Sequence, residues 1–143
     1  MANCHEVAAY ILAKQDIESG DLISNLKLQK LAYYAQGFCL AMHGRVLFPE
    51  TIEAWTHGPV VPDLYYAFNQ YEGNAIPRPD GVNVEVFTQE ERDLMDEVYS
   101  VYGQFSAWKL RNMTHEESPW TKTPKSAVIS HDLLREYFTT QLQ

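Results

Sequence analysis

Nucleophilic catalysis by this 143-residue chain would need one of its two cysteines or one of its several serines, acting with one of its five histidines as the base. Such chemistry needs a cysteine or serine beside a base that a third group orients. Cys4, Cys39 and the histidines are scattered, and their spacing groups none of them into such a set. The sequence has no glycine-rich phosphate loop, and the Cys4-His5 pair is isolated from any zinc-ligand pattern. We therefore predict no enzyme activity, no catalytic residue, no metal site and no cofactor.

Two of the histidines lie in similar surroundings, each close to a tryptophan and a proline. His57 lies between Trp55 and Pro59, and His115 lies shortly before the Pro119-Trp120 pair. The imidazoles could bond to backbone groups and lock two turns, contact a partner protein, or take part in chemistry. We favour the first interpretation, and the other two stay open.

The sequence predicts a long helix over residues 26–43, against which the segments that carry these histidines are expected to pack. Ser24 or Asn25 can cap its start, because either side-chain oxygen can accept a bond from an unpaired first-turn amide. Gly44 can end it in a left-handed conformation. We expect this helix to be the centre of the fold.

The predicted central helix has two faces of different character. Apolar residues at spacings of three and four form a stripe that must be buried: Leu28, Leu31, Ala32, Ala35, Phe38, Cys39 and Met42. Lys27, Lys30 and Tyr34 lie off this stripe, also at spacings of three and four. We expect these three side chains to form a second, more exposed face.

The remaining elements predict an α+β fold that is predominantly helical. Residues 46–48 and 52–56 indicate an antiparallel β-hairpin that ends at Gly58-Pro59, and residues 84–87 are a candidate third strand. Further helices are expected from Asn3 to near Gly20, from Pro62, from the Thr88–Glu91 capping box, from Ser106 to about His115, and from Ser130. Ser118-Pro119-Trp120 is expected to end the helix before it. The chain is thus expected to form one domain, residues 1–143, with about six helices around the central one and a small sheet.

Composition and charge limit the class of partner. The formal net charge is −8, and both halves of the chain are acidic, so nucleic acid is a poor candidate. A basic partner protein fits better. One local exception is the segment with Lys109, Arg111, Lys122 and Lys125, for which an ordinary solvated surface is the simpler interpretation. No apolar stretch is long enough to span a membrane, the first residues do not resemble a signal peptide, and cysteines are few, so we expect a cytoplasmic protein with reduced thiols and no membrane partner.

Aromatic residues make up 13% of the chain, more large rings than one small core readily holds with every polar atom bonded. Some are therefore expected on the surface, where tyrosine and tryptophan often anchor protein interfaces. For Tyr33, Tyr66 and Trp108 we expect that the rings cover the core instead.

Several ordered motifs resemble the SocA-like Panacea domain family over nearly the whole chain. They are the Lys27–Gln36 helix segment KLQKLAYYAQ, Glu53-Ala54-Trp55 with Gly58-Pro59-Val60-Val61-Pro62, the Tyr65 helix, Ser106-Ala107-Trp108, Leu110, Thr114-His115 and Pro119-Trp120. The resemblance implies an antitoxin: a small cytoplasmic domain of bacteria, phages or mobile elements that binds and neutralises a toxin protein. Members of the family bind unrelated toxins, so the resemblance does not identify the partner or the oligomeric state.

Two functional hypotheses follow from these observations. The first is neutralisation of a cognate toxin, with a basic surface, by direct stoichiometric binding. The alternative is a toxin-independent interaction protein of a phage or mobile element that acts on a host factor. A toxic reading frame beside the gene would favour the first.

The predicted partner surface lies where the polar side of the central helix approaches the hairpin end and the next helix. It comprises Lys27, Lys30, Tyr34, Trp55, His57, Tyr65 and Trp120. Turns fixed by Pro59 and Pro62 would offer a surface that needs little ordering on binding. In the competing interpretation, Lys30 and His57 bond to buried backbone carbonyls, and the motif is a folding signature.

Overall fold

The computed structural model describes residues 1–142 and places one long helix at the centre of a mainly helical fold. The α-helices are α1 (Cys4–Leu12), α2 (Asn25–His43), α3 (Pro62–Ala67), α4 (Gln89–Tyr102), α5 (Ala107–Thr114), α6 (Ser118–Thr121) and α7 (His131–Thr139). Two strands, β1 (Glu53–Trp55) and β2 (Gly58–Val60), form an antiparallel hairpin. Single turns of 3₁₀ helix cover Asn69–Tyr71 and Val84–Val86. The predicted α+β class, predominantly helical with a small antiparallel sheet, is confirmed.

Helix α2 begins and ends where the sequence predicts. Ser24 is its N-cap and accepts a hydrogen bond from the Lys27 amide, and Gly44 ends it with a left-handed φ of 68°. All of α1, α3, α4, α5, α7 and β2 contact this helix. The apolar side chains of these elements join in one hydrophobic cluster around α2.

The other helix starts also follow local capping signals. Thr88 and Glu91 form the predicted capping box of α4, and Ser106 and Ser130 cap α5 and α7. Helix α1 is shorter than predicted, because it ends at Leu12 and the chain then turns. Residues 118–120 do not simply end α5, because Pro119 lies in the first turn of the short helix α6.

The predicted hairpin is right for one strand, because β1 lies within residues 52–56, and wrong for the other. Residues 46–48 are not a strand, and Gly58-Pro59 does not end the hairpin but begins β2, with Ala54 opposite Pro59 and Trp55 opposite Gly58. The third strand is also misplaced: Val84–Val86 is a 3₁₀ turn. The free edge of β1 is covered by residues 126–129, where the Ala54 amide donates to the Ala127 carbonyl and the Ile129 amide to the Ile52 carbonyl.

The expected exposed face of α2 is wrong. Lys30 and Tyr34 are fully buried, and Lys27 is 7% exposed. Within the apolar stripe, Met42 departs from expectation in the other direction, since it is 53% exposed. Helix α2 is therefore surrounded by protein along most of its length, and its polar side chains must find partners inside the fold.

Candidate functional site

Three polar side chains of α2 bond to the backbone of the segments that surround it. Gln29 Oε1 accepts from the Val61 amide at 2.9 Å, and Lys30 Nζ donates to the Pro59 carbonyl at 3.1 Å. Gln36 bonds to both polar backbone groups of its loop, since Nε2 donates to the Phe48 carbonyl and Oε1 accepts from the Leu47 amide. These bonds fix the loop before β1 and the strand β2 to the central helix. For Lys30, the competing interpretation of the motif as a folding signature agrees with this geometry.

Two tyrosines of α2 hold a buried carboxylate. The hydroxyls of Tyr33 and Tyr34 donate to the two carboxylate oxygens of Glu117, each at 2.8 Å. Burial raises the pKa of Glu117 to about 7, although the tyrosine hydrogen bonds act in the opposite direction. The Tyr34 ring also stacks on Tyr102, with ring centroids 3.9 Å apart. This cluster joins the turn between α5 and α6 to the central helix.

Lys27 has a related internal role at the other end of the motif. Its Nζ donates to the Gly103 carbonyl at 2.7 Å, and burial lowers its pKa. Lys27, Lys30 and Tyr34 thus contact the interior of the fold. Their influence on partner binding stays a prediction. Any such influence would be indirect, through the position of the hairpin and of the α5–α6 turn.

Three of the predicted site residues meet on the surface. Trp55, His57 and Tyr65 line one cavity of about 440 Å³ between the hairpin, α2 and α3. The rings of Trp55 and Tyr65 are 5.0 Å apart in an edge-to-face arrangement. Trp120 supports the hairpin from the side, because its Nε1 donates to the Trp55 carbonyl at 2.8 Å.

Two exposed rings extend this surface, although the sequence analysis assigned them to the cover of the core. Tyr66 is 66% exposed and lies 5.4 Å from Tyr65, and Trp108 is 55% exposed. The ring of His57 lies 5.9 Å from that of Trp108. We call Trp55, His57, Tyr65, Tyr66 and Trp108 the aromatic face. Helical periodicity could have found Tyr66, because buried Leu64 and exposed Tyr66 cannot share one side of a short helix.

The two turn histidines differ. His115 stacks flat on Trp120, with ring centroids 4.0 Å apart, and burial together with the charges of Arg111, Lys30 and His57 lowers its pKa. His57 is exposed on the aromatic face. Stacking therefore holds the His115 ring at its turn, whereas surface contact remains open to His57.

One group of potential metal ligands occurs in the described part of the chain, where Asp63 joins the Cys4-His5 pair. The ligand atoms of Cys4, His5 and Asp63 all lie within 4.8 Å of one another, so the pair is not isolated as the sequence suggested. Burial and the carboxylates of Glu50 and Asp63 raise the pKa of the Cys4 thiol to about 12, so it is protonated at neutral pH. Cys39 is buried, and its pKa is likewise raised, to about 11.

Fold and surface together describe a small, mainly helical α+β protein with two distinctive features. The first is the set of polar α2 side chains that bond inside the fold, which we call the inner frame: Gln29, Lys30, Tyr33, Tyr34 and Gln36. The second is the aromatic face on the hairpin, α3 and α5. The family described as "Antitoxin SocA-like, Panacea domain" matches residues 28–121, which include both features. The chain belongs to this family. Within residues 1–142, none of the helices is both long and apolar enough to cross a membrane.

A curated relative supports the same assignment. Antitoxin SocA of Caulobacter vibrioides (strain NA1000 / CB15N) is 35% identical over 109 residues, which are 68% of this chain and 58% of the relative. The chain therefore spans less than two thirds of that relative's length. No solved structure matches this chain significantly.

Proposed function

We propose that this protein is an antitoxin that binds a cognate toxin protein directly and neutralises it in a stoichiometric complex. Membership of the SocA-like family supports the class of function. The observation that carries the proposal is the aromatic face, a cluster of large rings on the surface of an otherwise well-packed protein. Action in the cytoplasm, without catalysis, metal, cofactor, nucleic acid or membrane, is part of the same proposal.

The aromatic face has the properties of an interface anchor. Its rings form two groups of close neighbours: Trp55, Tyr65 and Tyr66 lie 5.0 to 6.1 Å apart, and His57 lies 5.9 Å from Trp108. The groups meet at the cavity that Trp55, His57 and Tyr65 line together. Tyrosine and tryptophan carry much contact area with few rotatable bonds, so they lose little entropy on binding. Clusters of this kind supply a large share of the energy at protein interfaces.

The inner frame prepares this surface for binding. Lys30 donates a hydrogen bond to the Pro59 carbonyl in β2, and Trp120 donates one to the Trp55 carbonyl in β1. Both strands of the hairpin are therefore bonded to the rest of the fold. Asn25 Nδ2 donates to the Tyr65 carbonyl at 3.1 Å and links α3 to the start of α2 in the same way. A surface that is ordered before binding loses less free energy on association.

Co-expression with the toxin tests this proposal. The toxin is taken from a reading frame beside the gene that cannot be cloned alone, and growth is measured with the wild-type protein and with Tyr66→Ala. Because Tyr66 is largely exposed, we expect an unchanged melting temperature, loss of growth rescue, and loss of the complex in size-exclusion chromatography. Ile17→Ala is the matched control, because Ile17 is 68% exposed and lies outside the aromatic face.

Two outcomes would contradict the proposal. Rescue and complex formation by Tyr66→Ala and by a Trp55→Ala, Tyr65→Ala double variant would place the interface elsewhere. Rescue without any complex would exclude stoichiometric neutralisation and favour action on a host factor.

A further inference from the structure

A cluster of positive charges lies beside the aromatic face of this acidic protein. Lys30 is buried under Gly58, where an added Cβ would lie 2.8 Å from Lys30 Cε. Arg111 of α5 lies over the Trp108 ring, with its guanidinium carbon 4.5 Å from the ring centroid. The charges of Arg111 and Lys30 both act on His115, whose pKa they lower together with burial and His57.

No carboxylate in the described residues forms an ion pair with this cluster. The salt bridges found over residues 1–142 involve Lys14, His43 and Arg45, all in other parts of the fold. Glu117 lies nearby in sequence, but its two oxygens accept hydrogen bonds from Tyr33 and Tyr34. The cluster is therefore a local excess of positive charge in a chain of net charge −8.

Hydrogen-bonding groups in the same cluster are also unsatisfied. Arg111 Nε and His115 Nε2 are enclosed by protein and have no hydrogen-bond partner among the described residues. The guanidinium makes one side-chain bond, from Nη1 to the neighbouring Asn112 Oδ1 at 3.0 Å. Because these two atoms are enclosed, a partner group can reach only the other guanidinium nitrogens of Arg111, which as a residue is half-buried.

We propose that Arg111, stacked on Trp108 with His57 close to the same ring, binds a carboxylate from an aspartate or glutamate of the partner protein. The inference rests on the proposed function and identifies the chemistry of the partner segment. A planar guanidinium matches a carboxylate in two parallel hydrogen bonds, and stacking on an indole fixes its orientation. The partner segment that docks here is acidic, while the acidic remainder of the surface suits the basic regions of the same partner.

A polyanion is disfavoured as the ligand. The net charge of the whole chain repels a long phosphate backbone, whereas one or two carboxylates feel mainly the local cluster. The exposed Trp108 ring gives the methylene groups of a glutamate an apolar surface to contact. Both features favour an acidic peptide segment over nucleic acid.

An NMR titration of the intact protein tests the site with defined probes. A capped oligoglutamate peptide and the matched oligoglutamine peptide are added separately, and the signals of Arg111 Nε–H and the Trp108 indole N–H are followed. We expect saturable shifts with oligoglutamate and none with oligoglutamine. Arg111→Gln should weaken binding about tenfold or more, since charge-assisted hydrogen bonds are lost. Arg45→Gln, which removes a partly exposed arginine far from the face, should bind like wild type.

Several results would overturn the assignment. They are equal shifts with the two peptides, equal loss of binding in Arg111→Gln and Arg45→Gln, or an Arg111-dependent affinity for a single-stranded oligonucleotide that exceeds that for oligoglutamate. If Arg111→Gln does not fold, Trp108→Ala provides the same test, because its exposed ring is not part of the core. The titration uses no toxin, so its failure leaves the antitoxin proposal standing, and failure of growth rescue leaves the peptide result unchanged.

Discussion

The buried carboxylate of Glu117 makes the stability of this protein depend on pH in a specific window. Glu117 is 8% exposed and is held by the hydroxyls of Tyr33 and Tyr34. Burial raises its pKa from 4.5 to about 7. Between pH 4.5 and pH 7 the native state therefore keeps a proton on Glu117 that the unfolded state has released. The contribution of protonated Glu117 to the free energy of unfolding is fully present below pH 4.5 and is lost as the pH rises through 7.

The size of this effect follows from the shift. A change of one pKa unit corresponds to about 1.4 kcal/mol, so the shift of Glu117 lowers the free energy of unfolding by about 3 kcal/mol across the window. Glu117→Gln is neutral at every pH and resembles the protonated glutamate in shape. We therefore expect the variant to match the wild type near pH 4.5 and to exceed it by about 3 kcal/mol above pH 7.

Urea unfolding at a series of pH values measures the difference directly. Glu116→Gln is the matched control, because Glu116 is the exposed neighbour, and its curve should run parallel to that of the wild type. Parallel curves for the wild type and Glu117→Gln would refute the reasoning, since they would show that the Glu117 carboxylate ionises equally easily in the native and unfolded states.

Two further substitutions test the packing of α2. Gly37→Ala would place a Cβ 2.2 Å from the Phe138 ring, so we expect a loss of about 1–3 kcal/mol in urea unfolding, whereas Gly73→Ala, with nothing within 4 Å, should be neutral. Lys30→Met removes a buried amine whose pKa is lowered to about 7 by burial and by the Arg111 charge. Between pH 7 and 10.5 the unfolded state binds more protons than the native state, so the free energy of unfolding of the wild type should rise by about 5 kcal/mol over this range. The variant should lack this rise. A wild-type profile that is flat over this range would show that the Lys30 amine is not desolvated.

Helix boundaries were predictable because their signals are local. Ser24, Thr88, Ser106 and Ser130 each accept a bond from an amide three residues later, so the sequence carries the whole interaction. Gly44 ends α2 for an equally local reason, its left-handed backbone. The class of the fold and the central place of α2 follow from these elements and from the apolar stripe.

The hairpin was misplaced because Gly58-Pro59 usually interrupts a strand. Here β2 pairs only with β1, so it is an edge strand, and the missing N–H of Pro59 removes no bond from the sheet. Gly58 adopts a φ of 108° and lies against Lys30 and Thr114, where a side chain would not fit. The partner of the other β1 edge comes from residues 126–129, which no local pattern indicates.

The burial of the polar motif was not predictable from periodicity. A lysine and a tyrosine on one side of a helix normally indicate a solvent face. Lys30 and Tyr34 instead find their partners 29 and 83 residues away, in the Pro59 carbonyl and the Glu117 carboxylate. Such contacts exist only once the fold is formed, so a single sequence gives no direct sign of them.

The inner frame and the partner surface use different side chains of the same short elements. On α3, Leu64 faces the core and Tyr66 faces outward; on α5, Leu110 is buried and Arg111 lies partly at the surface. Tyr66 faces outward from the helix that contains the motif residue Tyr65, and Arg111 lies between the motif residues Leu110 and Thr114. Substitution at such outward positions can change the partner contact while the bonds that fix the hairpin to α2 remain. Family membership therefore defines the frame of this protein, whereas the chemistry of its partner must be inferred from residues such as Tyr66 and Arg111.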